Sequence, residues 1–282
     1  MYTVTSEIYK ETNFKPIKGK DGKVTSRFEF VYPDGGVAAP IVDKDGDLIV
    51  ARKSNSSDAE KCGIIELQHS EATEIKLVGL QVWRGALLLA DYIFHRSDEF
   101  KDKSLMELGA GVGLTSLAAA MYVKKVVCTD VDIGGILDLI RNNVKLNHNL
   151  CDTRKIDVME YDFMKPLSEY PQQLLKAIDE SDIVVAADVI YDDDLTNAFI
   201  KVIDAIFQRE ETSGRRKEIY VALEKRYVFT FSEMDAVAPM FEYFLKQTLH
   251  KPWKFKYVET DFPQYFKYER CKHLVLLQIT KS

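Results

Sequence analysis

The sequence predicts an α/β protein built on a mostly parallel sheet, preceded by a short antiparallel β extension. Three observations carry this expectation. After Val82, short apolar runs alternate with helical stripes of about ten to fifteen residues, which is the pattern of βαβ units. A glycine turn, Glu107-Leu-Gly-Ala-Gly-Val-Gly113, lies directly between one such run and one such stripe. Before Val82, turn residues break the apolar runs and few helical stripes separate them.

Taken in order, residues 1–23 are polar, with two glycines near their end, and are expected to be flexible. Residues 24–82 read as the antiparallel extension, with strands in RFEFVY, PIVDKDGDLIVA, GIIELQH and TEIKLVG. Asp43-Lys44-Asp45-Gly46-Asp47 is out of register for a calcium loop, because its glycine comes fourth and Ser54 stands where the glutamate belongs. Asp45-Gly46 instead reads as a hairpin turn. From Trp83, the residues Ala86, Leu87, Ala90, Ile93 and Phe94 recur at helical spacing. SLMEL at 104–108 is a strand, and a helix opens from the glycine turn. KVVCT is the next strand and ends at Asp130; the helix after it carries a stripe on Ile136, Leu139, Ile140 and Val144. A weaker strand at 155–159 precedes IVVAA at 183–187, the helix LTNAFIKVIDAIF and the strand EIYVAL at 218–223. A helix over roughly 230–249 leads to two closing strands, KFKYVE and HLVLLQI. These two are expected to be antiparallel, since residues 261–272 leave little room for a crossover helix.

Composition narrows the class. At 282 residues, with 46% apolar and 29% charged residues, the chain suits one large globular domain with a small extension. It contains no run of eighteen apolar residues, so no membrane span is expected, and the opening segment resembles neither a secretory leader nor a transit peptide. Cys62, Cys128, Cys151 and Cys271 lie far apart, which argues against a metal knuckle or disulfide scaffold and suits a reducing compartment. Asn55-Ser56-Ser57 is formally a glycosylation sequon and reads as a loop. A net charge of −6 argues against general nucleic-acid binding. The basic, aromatic stretch Lys246–Lys256 is read as a solvated face, with a surface for an acidic partner as the alternative.

The chemistry-bearing residues cluster after strands. Gly109 and Gly111 would let a ligand press against backbone amides at a helix start. Their spacing departs from the dinucleotide fingerprint, and Glu107 just ahead of them suits a cationic ligand better than a pyrophosphate. Asp130 closes the next strand about twenty residues later, where it can accept both ribose hydroxyls. Together these acids favour S-adenosyl-L-methionine, cationic at its amino and sulfonium groups, over a nicotinamide dinucleotide. The plainer readings are a capping carboxylate for Glu107 and a strand-end turn for Asp130.

Asp188 and Tyr191 follow the apolar run 183–187, at the strand end where open sheets bind ligands. A carboxylate and a phenol there would orient an amine and stabilise positive charge growing on its nitrogen. The other reading of Asp188 is a helix N-cap, for which Asp192, Asp193 and Asp194 are better placed. Those three acids form a rim that suits a basic protein segment better than DNA. Glu224-Lys225-Arg226 ends the following strand on the same side, as a surface ion pair or as a substrate-lining or gating group.

Trp83 ahead of a helix, ELGAGVG at 107–113, TD at 129–130 and ADVIY at 187–191 together resemble family 16 of the seven-β-strand protein methyltransferases. The resemblance covers roughly residues 60–282 and places the methyltransferase domain at 83–282, after the extension at 24–82. It implies a Rossmann-like class I methyltransferase sheet of seven strands, order 3-2-1-4-5-7-6, with strand seven antiparallel. It also implies S-adenosyl-L-methionine-dependent methylation of a lysine amine on a protein substrate. By this resemblance Trp83 lies against the methionine end of the cofactor. Gly109, Ala110, Gly111 and Gly113 form the loop, Asp130 binds the ribose, and Ala187 leads into the Asp188–Tyr191 signature. Phe163 stands where related enzymes usually stack a tryptophan on adenine, and it keeps the flat face but lacks the indole donor.

The resemblance also implies a nucleic-acid-associated protein partner with an accessible lysine; direct nucleic-acid or membrane binding by this chain is not expected, and it is expected to be a monomer. The expected compartment is the nucleus, with the cytoplasm as alternative, although Arg215-Arg216-Lys217 is short for an import signal. Competing functions are a small-molecule methyltransferase, a nicotinamide dehydrogenase, and a catalytically silent interaction module with the same fold.

Overall fold

Alternation of apolar and polar side chains builds the first layer. In β2 (Val24–Val31) the residues Val24, Ser26, Phe28 and Phe30 face inward while Arg27 and Glu29 face out. It lies between β1 (Ile17–Lys18) and β3 (Cys62–His69) in an antiparallel three-stranded sheet. The computed structural model describes residues 3–11, 15–19, 22–33, 61–230 and 235–282. The hairpin expected at Asp45-Gly46 and the sequon at Asn55 lie outside the described residues.

The main unit follows: α1 (Arg84–His95), α2 (Ser97–Phe100), β4 (Ser104–Leu108), α3 (Leu114–Ala120), β5 (Lys125–Asp130), α4 (Ile136–Leu146) and β6 (Ile156–Glu160). Then come α5 (Gln172–Glu180), β7 (Ile183–Ala187), α6 (Asp193–Ser213), β8 (Glu218–Glu224), β9 (Val228–Thr230), β10 (Asp235–Val237), α7 (Pro239–Thr248), β11 (Trp253–Val258) and β12 (Leu274–Lys281). Seven strands form one sheet in the order β11-β12-β8-β7-β4-β5-β6. Read from the other edge, this is the expected 3-2-1-4-5-7-6. Strands β4 to β8 run parallel, and β12 is antiparallel to both β8 and β11.

Successive residues of each central strand enter opposite layers. Leu105, Val126 and Val185 pack with Leu87, Leu117 and Ile140 on the face that also receives Phe28, Phe30 and Leu67 of the small sheet. Met106, Val127 and Val184 pack with Ile178, Phe199, Ile203 and Phe244 on the other face. The order reverses between β4 and β7, so the turns leaving them part and open a crevice at their C-terminal ends.

Four local expectations change. The segment TEIKLVG is a 3-10 helix over Ile75–Leu80 rather than a strand. A strand there would need a free edge on β3, and α4 already occupies that edge. Asn143 accepts from the Gln68 amide at 2.8 Å and donates to its carbonyl at 3.0 Å. One turn later, Asn147 does the same for Glu66 at 3.0 and 2.7 Å.

Residues 3–11 are also packed rather than flexible. Val4 bridges to Thr73, Glu7–Lys10 forms a 3-10 turn, and Ser6 and Ile8 are buried. In place of a helix from about residue 230, β9 and β10 pair antiparallel, and α7 starts at Pro239 because proline suits a first helical position.

Finally, α5 was not expected, because its apolar stripe is short. Its C-terminal end is closed by Lys217, which is wholly buried and donates to the carbonyls of Ile178 at 2.6 Å, Asp179 at 3.2 Å and Ser181 at 2.7 Å. Burial pulls the pKa of this amine down to about 8.

The stretch 75–95 is apolar enough in composition to cross a bilayer. It is nonetheless two helices parted by an extended break at Gln81–Trp83, and both pack into the core.

Candidate active site

The crevice between the ends of β4 and β7 holds a cavity of about 320 Å³. Every site residue expected from the sequence lines it except Gly113.

The floor is the turn after β4. Gly109 and Gly111 have φ of 66° and 58°, in the left-handed region that side chains disfavour. A Cβ on Gly109 would lie 2.8 Å from Val189 Cγ1, and one on Gly111 would lie 3.0 Å from the Gly79 carbonyl oxygen. The bare backbone is therefore forced by both dihedral and space. Gly113, expected in the ligand loop, sits behind it. It precedes α3 with φ of 87° and donates its N–H to the Ala110 carbonyl at 2.9 Å.

Two buried acids flank this floor. Asp130, the last residue of β5, accepts from the Gly111 amide at 2.7 Å and the Val131 amide at 2.8 Å. Burial nevertheless pushes its pKa up to about 6. Glu107, next to last in β4, accepts from the Ser116 hydroxyl and is pushed up to about 7, by burial first, with a smaller push from the charge of Asp130. Two carboxylates so placed are poorly solvated when ionised. A cationic ligand, or one rich in hydroxyl donors, would relieve both.

The far wall is Asp188, just past β7. Its φ of 52° makes it the one non-glycine residue in the left-handed region among the described residues, a conformation that costs about 1–2 kcal/mol. Three hydrogen bonds hold it there. Its N–H donates to the Ala222 carbonyl at 2.8 Å, Oδ2 accepts from the Gly85 amide at 2.7 Å, and Oδ1 accepts from the Glu224 amide at 2.9 Å. A Cβ on Gly85 would lie 2.6 Å from Oδ2, so the second residue of α1 has to be glycine for this contact. Burial raises the pKa of Asp188 and the Arg226 charge opposes that rise. Asp188 is thus a clamp joining α1, β7 and β8 as well as a wall of the cavity. The N-cap reading falls away, since Asp192 caps α6 by accepting from the Leu195 amide at 3.0 Å.

Tyr191 lines the same cavity, and its phenol is pushed up to about 12, by burial first and then by the charges of Asp130 and Asp192. Trp83, immediately before α1, donates its indole N–H to the Val78 carbonyl at 2.9 Å. The Arg226 guanidinium lies 4.5 Å from the centre of its ring, a cation–π contact at the cavity mouth. Of the neighbouring pair, Glu224 makes an ion pair with Arg84 at 3.0 Å, and Lys225 sits 4.5 Å from the Phe241 ring centre. Phe163 has two surroundings: one part lines the cavity, and its ring packs 5.7 Å from both Phe199 and Tyr161.

Sequence reasoning missed the near wall. Gly79, Gln81 and Val82 belong to a segment read as a strand and its tail, and they line the cavity only because that segment turns as a 3-10 helix. It also missed Ile133 and Met164, exposed by 43% and 61%, which supply an apolar lip.

Comparison with known proteins bears on this geometry. The model of a family described as lysine methyltransferase matches residues 63–237, more than half of the chain and all the cavity-lining residues named above. The chain belongs to the lysine methyltransferase family. Among curated relatives, methyltransferase-like protein 22 of Homo sapiens is 34% identical over 270 residues, covering 87% of this chain and 66% of that protein. Its Mus musculus counterpart is 34% identical over 271 residues, covering 87% and 68%. Protein-lysine N-methyltransferase EEF2KMT of Mus musculus is 31% identical over 166 residues, covering 54% and 47%. The chain therefore spans about two thirds of the length of the first two relatives.

Proposed function

We propose that this protein is a protein-lysine N-methyltransferase, taking its methyl group from S-adenosyl-L-methionine. The observation that carries the reading is one cavity holding Glu107 and Asp130 beside a bare glycine turn, with Asp188 on the opposite wall. The residues fit the cofactor. Asp130 retains lone pairs for ribose hydroxyls, Glu107 is a buried acid without a cation, and Phe163 and Trp83 offer flat faces. When bound, the cofactor supplies an electrophilic methyl carbon.

The rest falls to the chain's own groups. A lysine ammonium has no lone pair, so the amine must arrive neutral or lose its proton at the site. Asp188, fixed by two amides, accepts a hydrogen bond from that amine and offsets the charge that its nitrogen acquires as the new N–C bond forms. The Arg226 guanidinium, 4.5 Å from the Trp83 ring centre, steadies that ring where it lines the cavity. The exposed Asp193 and Asp194 beside the mouth suit a basic, nucleic-acid-associated protein substrate, met in the nucleus.

The test pairs binding with transfer. Calorimetry should show binding of S-adenosylhomocysteine and none of NAD, with Asp130→Ala weakening the former by roughly 1–3 kcal/mol. Labelled S-adenosylmethionine added with basic protein fractions should place methyl groups on lysine, read by mass spectrometry. Label confined to small molecules would replace this reading with a small-molecule methyltransferase, and absence of any transfer would leave a silent binding module.

A further inference from the structure

The near wall of the cavity is an extended stretch, Gln81 to Trp83, running between a 3-10 helix and α1 without a strand beside it. Backbone in that state has amides that neither helix nor sheet satisfies. The Gln81 amide closes back on the Val78 carbonyl at 3.0 Å, whereas the Val82 amide and most of the Gln81 side-chain bonds find their partners in residues 4–11. The Tyr9 hydroxyl accepts from the Val82 amide at 2.7 Å. The Ser6 amide donates to Gln81 Oε1 at 2.9 Å, and Gln81 Nε2 donates to the Val4 carbonyl at 3.0 Å and to Thr73 Oγ1 at 2.7 Å. The Gln81 side-chain amide is thereby fixed at both ends. Just beyond, Glu11 accepts from Arg84 at 3.0 Å, and the same Arg84 reaches Glu224, whose amide holds Asp188. Gln81 and Val82 are each 1% exposed, so water cannot stand in for these partners.

We propose that residues 4–11 are a brace that sets the shape of the cofactor wall, with Tyr9 as its positioning residue. Tyr9 acts through Val82 and touches no reacting group. Its hydroxyl holds the stretch that carries Trp83 into the cavity, and its ring stacks on His69 of β3 at 5.0 Å, which anchors the brace on the small sheet. Without the brace the Val82 amide would be buried with no partner, and the wall would shift to find one. The cost should therefore appear in cofactor affinity rather than in the transfer step.

This inference rests on the cofactor reading above, and one experiment separates the two. Calorimetry with S-adenosylhomocysteine is run on the full chain, on Tyr9→Phe, which keeps the ring and removes only the hydroxyl, and on Ser6→Pro. The latter removes the Ser6 amide donor at a residue whose φ of −65° a proline ring accepts. Each variant should raise the Kd about tenfold, the expected loss of one buried hydrogen bond. In turnover assays the KM for the cofactor should rise likewise, with kcat and the KM for the protein acceptor unchanged. A purely structural role would lower the Tm and leave the Kd of the folded fraction within twofold of wild type, and that result overturns the brace. Failure of the wild-type chain to bind overturns the cofactor reading itself. Should both variants fail to fold, hydrogen exchange on the wild type decides: with S-adenosylhomocysteine, residues 4–11 and 78–84 should gain protection together. Gain in 78–84 alone refutes the proposal.

Discussion

Glu107 shows how one side chain is held at odds with its surroundings. Burial raises its pKa from 4.5 to about 7. An acid raised in the folded state favours folding fully below its unfolded pKa and loses that contribution as pH rises through the folded value. Glu107→Gln cannot ionise, so at pH 8 the unliganded variant should be more stable than wild type by about 3 kcal/mol. The gap should close near pH 5, and cofactor affinity should fall at least tenfold. Thermal melts at the two pH values, with paired titrations, check this; equal melting temperatures at pH 8 would refute the strain.

Asp188 is also raised by burial, but both of its oxygens accept from backbone amides. Asp188→Asn turns an N–H toward one of those donors and should cost roughly 1–3 kcal/mol of stability as well as most of the transfer rate. Single-turnover measurement on the folded fraction separates the two effects, and a near wild-type rate would exclude Asp188 from the chemistry. These acids were legible because each follows an apolar run at a strand end. Gly85 and Tyr9 were not, since Gly85 meets Asp188 across 103 residues and Tyr9 meets Val82 across 73.

At the scale of elements, period and length decided what could be read. The strands β4, β5, β7 and β8 and the helices α1, α4 and α6 follow from apolar runs and stripes clear enough to have one interpretation, whereas β6 gives only a weaker strand signal. The stripe of α5 covers only nine residues, and the 3-10 turn at Ile75–Leu80 has an alternation that fits a strand as well. What settled the latter was the asparagine pair on α4, a contact no local pattern announces. Asn143 and Asn147, one turn apart, match the spacing of the two outward-facing peptides at Glu66 and Gln68. Replacing both with alanine should leave four backbone groups unpaired and destabilise the fold by several kcal/mol, more than the sum expected of exposed asparagines. Urea unfolding of the single and double variants measures it; a double variant within 1 kcal/mol of wild type would show that water serves as well.

For the whole molecule, the small sheet and the seven-stranded sheet share one core, so the extension and the methyltransferase unit stand or fall together. Sequence alone places a boundary at residue 82 because the apolar pattern changes there, while the packing that joins the two sheets lies between residues far apart. Lys217 turns that unity into something observable. All three hydrogens of its ammonium group are committed to carbonyls at the end of α5, and its side chain meets no solvent. An amine-modifying reagent can reach it only after the end of α5 parts from Lys217, whereas exposed lysines react in the native state. In a timed acylation experiment read by peptide mass, Lys217 should therefore be the slowest lysine among the described residues. Its rate should follow the opening of the whole fold rather than local breathing, rising steeply with denaturant where the others stay flat. In a chain whose proposed chemistry is lysine methylation, this is also the lysine best hidden from its neighbours' active sites, and it should remain unmethylated in any preparation that modifies itself.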